Sequence, residues 1–173
     1  MILVFTIISL VHHVFFGPED TKVPPLQQGD LIEWFTWDKG MDMNKTNPKL
    51  LLVDIYSEQC KYCKLMDERT LVDSNVVHFI NENFYAVKLD AKGKRPLIWN
   101  GDTYHWDPAR RGGIHMLAYA LCYGEPSFPA FVILSAKGDQ VHITKGFKNQ
   151  GTFLNQLKLA VSKAEDLRSD PGR

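Results

Sequence analysis

The chain has 173 residues, 45% of them hydrophobic, with 20 basic and 20 acidic side chains. That size and apolar content support one domain around one sizeable core. The neutral balance argues against nucleic acid or anionic lipid as a partner, and three cysteines, one left over from any pair, argue against a disulfide scaffold.

Met1 to Phe16 is apolar apart from Thr6, Ser9, His12 and His13. As a helix it would span roughly 24 Å, short of the roughly 30 Å hydrocarbon core of a bilayer. We expect an export signal or a short membrane anchor, although it has no basic n-region and no small-residue cleavage site follows. A buried N-terminal element is the alternative. The histidines 12 and 13 are adjacent, which suits neither a helix-face nor a strand-face metal pair. Residues 17–30, with Pro18, Pro24 and Pro25, read as a linker.

The folded domain is expected over 31–167, with a fraying tail at 168–173. Leu31 to Phe35 predicts a strand, and Thr36 an N-cap for a helix to about Asn47 that Gly40 weakens by about 1 kcal/mol relative to Ala. Leu50 to Tyr56 is a continuous apolar run, as in a central strand covered on both faces. It leads into Cys60-Lys61-Tyr62-Cys63, expected to open a helix to about Leu71. Asp73 or Ser74 caps a further helix carrying Val77, Ile80 and Phe84. Tyr85 to Asp90 is a third strand, and Lys92-Gly93-Lys94-Arg95 reads as a solvated loop. Asn100-Gly101 marks a hairpin within Ile98 to Tyr104. Ile114, Leu117, Ala118, Leu121 and Cys122 share one helical stripe. Ala130 to Leu134 and Val141 to Lys145 form a hairpin about Lys137-Gly138-Asp139, and Thr152 to Leu167 is a closing amphipathic helix.

Two thiols at a helix start meet unpaired backbone N–H groups and the positive end of the helix dipole, which favour a thiolate. The thiolate is the species that attacks disulfides. Cys60, at the exposed start with Lys61 and Lys64 nearby, is the expected nucleophile, and Cys63, one turn in, the resolving thiol. Half of a zinc site looks the same, with Cys122 and His115 or His78 as its thin further candidates. Cys122 reads as a buried inert thiol, a regulatory disulfide being the alternative. Asp54, inside an apolar strand, should have its pKa raised by desolvation, unless backbone donors satisfy it at the strand end. Trp99, Tyr104 and Trp106 are expected to cover a core edge and, as part of a segment before Pro129, to shape a substrate groove.

The order strand, Cys-x-x-C helix, strand, then Ser127-Phe128-Pro129 before a hairpin resembles the thioredoxin-like superfamily. Leu52 to Cys60 is similar to its active-site strand, with an acid six positions before the first cysteine. Val87-Lys88-Leu89-Asp90 resembles its next strand. Ile32-Glu33-Trp34, Asn83 to Asp90, the Asn100-Gly101 hairpin and Leu117-Ala118-Tyr119 extend the resemblance toward exported bacterial thioredoxin-related proteins. Lys61-Tyr62 stands where thioredoxin has Gly-Pro, and Gln59 where it has Trp.

The resemblance implies an α/β thioredoxin fold: a central mixed β-sheet flanked by helices, with a hairpin-plus-helix insertion before a cis-proline loop. It implies a thiol–disulfide oxidoreductase that reduces protein disulfides through a redox-active Cys60–Cys63 disulfide, with no other cofactor and no metal. Asp54 becomes the base that takes the proton of Cys63, with Lys88 as its partner. Phe128 and cis-Pro129, with Lys61 and Tyr62, become the substrate contacts. The partners implied are a disulfide-containing protein and a membrane thiol reductant. The protein is expected to be monomeric, and periplasmic or tethered facing the periplasm, with the cytoplasm as the alternative. The competing classes are a non-catalytic metal-binding module and an interaction domain with incidental cysteines.

Overall fold

Local sequence sets each element before packing selects the arrangement. In the computed structural model, which describes residues 31–110 and 112–169, a short strand β1 (Trp34–Thr36) runs directly into α1 (Trp37–Thr46). The Thr36 hydroxyl caps that helix by accepting from the amide of Lys39. The expected strand from Leu31 is therefore shorter and later. Leu31 is exposed, and Glu33 spends its amide on the Asn81 side chain instead of a strand partner.

There follow β2 (Leu50–Tyr56), α2 (Lys61–Arg69), α3 (Ser74–Asn83) and β3 (Phe84–Asp90). Asp73 caps α3 by accepting from the amides of Asn75 and Val76. Phe84, expected on that helix, opens β3 instead. Next come the hairpin β4 (Leu97–Trp99) and β5 (Asp102–Tyr104), the ladder β6 (Trp106–Asp107) with β7 (Ile114–His115), and α4 (Met116–Leu121). Then β8 (Ala130–Leu134), β9 (Gln140–Lys145) and α5 (Gln150–Ser169) complete the order. The expected leader 1–16 and linker 17–30 lie outside the described residues, as do the last four residues of the tail.

The insertion before Pro129 differs from the expected single hairpin and helix. Ile114 lies not on a helix but in β7, because the Gly112 and Gly113 backbones at φ 71° and 63° turn the chain back beside Trp106. His115 then starts α4, its Nδ1 accepting from the amide of Leu117, so the helix begins only at Met116. It stops after two turns, where Tyr123 and Gly124 both take positive φ.

The main sheet has the order β1-β3-β2-β8-β9, with β1, β3 and β2 parallel and β8 and β9 antiparallel. Alternation along β2 divides its side chains between the two faces. Leu51, Val53 and Ile55 join Trp37 of α1 and Leu117, Leu121 and Cys122 near α4 in one core. Leu52 points the other way, into a core built from Met66 of α2, Val77 and Ile80 of α3, and Phe153 and Leu157 of α5. The same period puts Asp54 on the face that α2 covers. Among the described residues no helix is long and apolar enough to cross a membrane.

Gly40 sits where α1 meets β3. A Cβ there would lie 2.5 Å from Val87 Cγ2, and Val87 is fully buried. The helix thus gives up propensity of about 1 kcal/mol for close approach. Gly40→Ala is expected to lower stability by about 1–2 kcal/mol, overpacking outweighing the gain in propensity. A urea midpoint that rose instead would show that Val87 yields.

Candidate active site

Cys60 and Cys63 form a disulfide with Cα atoms 5.2 Å apart. Cys60 is the N-cap of α2, and its Sγ accepts from the amide of Cys63 at 3.1 Å. The last turn before the helix is held by the amide of Cys60, which donates to Ser57 O at 3.0 Å. Cys60 is half-buried and Cys63 buried, so the pair presents one sulfur outward and one inward. Lys61 and Tyr62 are exposed beside the outer sulfur, Tyr62 with 59% of its surface free.

Beneath α2, Asp54 and Lys88 are register partners on β2 and β3. Lys88 Nζ donates to Asp54 Oδ2 at 2.5 Å and to Asp67 Oδ1 of α2 at 3.0 Å. The ammonium also lies 4.5 Å from the ring centre of Trp34 and 5.3 Å from that of Tyr56. Asp54 is buried and its Oδ1 has no hydrogen-bond partner. Burial pushes its carboxyl up to about 6, against the opposing pull of Lys88. Lys88 is half-exposed on the wall of a cavity of about 420 Å³ shared with Trp34 and Tyr56, so solvent reaches the pair from the lysine side.

Pro129 is buried, follows a cis peptide bond from Phe128, and accepts from the amide of Gly146 at 2.7 Å. The next residue, Ala130, pairs with Ile55, which brings this loop to the end of β2 from which the Cys-x-x-C segment departs. Phe128 is half-buried against the α1 and α4 core. The structure thus gathers Asp54, Lys88 and the cysteines around α2, with Phe128 and Pro129 at the same end of the sheet.

It does not bring Cys122 to the pair. That thiol is free and fully buried in the core on the opposite sheet face, where burial raises its pKa. His115 has both ring nitrogens engaged, Nδ1 with the amide of Leu117 and Nε2 with the carbonyl of Arg95. Among the described residues no cluster of three His, Cys, Asp or Glu side chains is placed to hold a metal ion. Trp99 and Tyr104 pack together on the core edge, their ring centres 6.0 Å apart, and Trp106 lies under Lys94.

Sequence reasoning missed Asp67, Trp34 and Tyr56 as neighbours of Lys88. Asp67 was within reach: it stands four residues after Cys63, hence on the same helix face as the buried thiol.

A helix-capping thiol with a buried thiol one turn in, on a sheet whose inner strand carries a buried acid, defines a thiol–disulfide oxidoreductase. A family profile described as a thioredoxin-like domain matches residues 37–160, and the chain belongs to that family. The described fold is similar to a thioredoxin from Thermus thermophilus, with TM-score 0.61 and 19% identity over 82% of this chain and 96% of that one. It is also similar to a putative disulphide-isomerase from Bacteroides thetaiotaomicron, at 0.56 and 21% identity over 78% and 97%. An oxidoreductase named DsbH aligns at 0.56 and 18% identity over 76% and 85%. In sequence, 68 residues are 27% identical to spermatogenesis-associated protein 20 of Rattus norvegicus, spanning 39% of this chain and 8% of that protein's length.

Proposed function

We propose that the protein reduces disulfides in other proteins, with Cys60 as nucleophile, Cys63 as resolving thiol and Asp54 as the base that serves it. The Cys60 thiolate attacks one sulfur of the substrate disulfide, forms a mixed disulfide and expels one substrate thiolate. Cys63, its proton passed to Asp54, then attacks Cys60 Sγ. The Cys60–Cys63 disulfide forms and the second substrate thiolate leaves. Two electrons pass to the substrate, and a dithiol donor must return them.

The observation that carries this reading is the Cys60 sulfur at the start of α2, accepting the Cys63 amide. The same donor and helix end would stabilise the thiolate. Asp54, titrating near 6, is poised to accept a proton close to neutral pH. Lys88 holds its Oδ2, while Phe128 and Pro129 offer backbone along which an extended substrate can lie, flanked by Lys61 and Tyr62. The direction follows from charge. The position before Cys63 holds Tyr62, which brings no positive charge, although Lys61 supplies one at the more exposed position. An ionised Asp54 disfavours a nearby thiolate, which lowers the potential. The apolar segment Met1 to Phe16 supports a place in the periplasm or at its membrane face, with a membrane thiol reductant as the dithiol donor.

With dithiothreitol as donor, the wild type should reduce a protein disulfide catalytically and Cys60→Ser should not rise above the uncatalysed rate. Equilibration with glutathione should place the pair in the reducing half of the range from about −270 to about −120 mV. Equal activity of Cys60→Ser sinks the assignment. A potential near −120 mV leaves the redox pair and overturns the direction.

A further inference from the structure

A second cavity, of about 480 Å³, opens at the same end of the sheet, with Lys92 and Arg110 as its cations and Ile114, Tyr119, Pro126 and Phe128 as apolar walls. Its place is fixed by backbone hydrogen bonds. The amide of Ala91 donates to Tyr56 O at 2.8 Å, and that of His115 to Ala91 O at 2.8 Å. The residues bearing Lys92 and Ile114 are thereby strapped to the end of β2, where the Cys-x-x-C segment begins. Phe128, on the opposite wall, directly precedes the cis-proline.

The two cations are held without being neutralised to the same degree. Lys92 Nζ donates to the carbonyls of Gly112 (2.7 Å) and Gly113, and among the described residues no carboxylate lies within ion-pair reach of it. Carbonyls orient an ammonium and leave its charge in place. Arg110 stacks on the Tyr119 ring at 3.9 Å, with Nε 3.4 Å from Asp107 Oδ2. Its terminal nitrogens donate to none of the described residues. The described residues that line the cleft include these two cations and no carboxylate. The Asp90 carboxylate beside it accepts from the amide of Lys92 and not from its ammonium. The apolar walls strengthen any ion contact made inside the cleft. Its volume admits one or two side chains.

We infer that this cleft is a specificity subsite for an acidic side chain, Asp or Glu, carried by the polypeptide substrate next to its disulfide. The carboxylate would sit between Lys92 Nζ and the free edge of the Arg110 guanidinium, with the substrate's apolar stem against Phe128 and Ile114. The inference rests on the oxidoreductase reading and adds a substrate class to it.

The test uses two synthetic peptides with an internal disulfide, identical except for Glu or Lys beside the first cysteine, reduced by the full chain with dithiothreitol as donor. At low salt the Glu peptide should show a kcat/KM about three- to tenfold higher, and high salt should shrink that ratio toward one. Arg110→Glu should invert the preference. Lys92→Gln, which keeps a donor for the Gly112 carbonyl, should reduce the preference without inverting it. Equal turnover of both peptides overturns the subsite and leaves the oxidoreductase standing. Reduction of neither overturns the reading beneath, and the subsite with it.

Discussion

Asp54→Asn is expected to slow resolution of the mixed disulfide about a hundredfold near pH 7, roughly the lower end of what a positioned base contributes. In the wild type that step should accelerate as pH rises through about 6, where Asp54 loses its proton. In the variant the acceleration should be missing. The same substitution has a second, opposite consequence for the fold. The folded carboxyl titrates near 6 against an ordinary value of 3.8, so between those values the native protein holds a proton that the unfolded chain has released. Stability gained from this group is present at low pH and is lost as pH rises from about 4 to about 6, by up to ~3 kcal/mol. Asparagine removes the loss, so the variant should be the more stable protein at pH 8 and no more stable at pH 4. Stopped-flow thiol release and urea unfolding at the two pH values measure both effects. Unchanged turnover with lower stability at pH 8 would make Asp54 a structural carboxylate.

The larger effect on turnover is expected from Cys63→Ser. The outer sulfur remains, so attack on a substrate disulfide proceeds. The inner nucleophile is gone, so the adduct has no internal route to resolution. Steady-state reduction should fall to the uncatalysed background while a covalent complex accumulates, visible on non-reducing electrophoresis and dispersed by dithiothreitol. Cys60→Ser should lose turnover equally and accumulate nothing. The reverse pattern, a complex trapped by Cys60→Ser, would exchange the roles of the two cysteines. Cys122 should remain unmodified throughout under native conditions, since it is fully buried.

What could be read from the sequence was whatever carries a long period or a distinct cap. Leu50 to Tyr56 announces a central strand because every position but Asp54 is apolar or aromatic, and Thr36 and Asp73 announce helix starts because their side chains satisfy amides the helix leaves open. Asp54 stood out for the same reason, a charge where the pattern leaves no room for one. The insertion could not be read in this way. Strands of two residues, such as Trp106–Asp107 and Ile114–His115, have no period. Their pairing depends on a glycine turn whose effect is visible only once Trp106 occupies the space beside Gly113. Ile114 falls three residues before Leu117, the spacing of one helix face, while the cap at His115 excludes it from the helix. Gly40 is the converse case. Locally it is a defect, and only contact with Val87 makes it a requirement.

Cys122 matters most before the protein is folded. Its thiol is sealed between α4 and the sheet only when β8 and the insertion have packed. Until then a nascent chain carries three accessible thiols and three possible internal pairings, one of which joins Cys60 to Cys63. That pair closes the shortest loop, and the other two must close loops of about sixty residues, at a modest extra entropic cost that grows only with the logarithm of length. Chain statistics therefore favour the productive pairing without guaranteeing it. In an oxidising compartment the yield of active protein is set by whether the layer over Cys122 closes before an oxidant arrives. The third cysteine thus makes correct maturation a race between burial and oxidation.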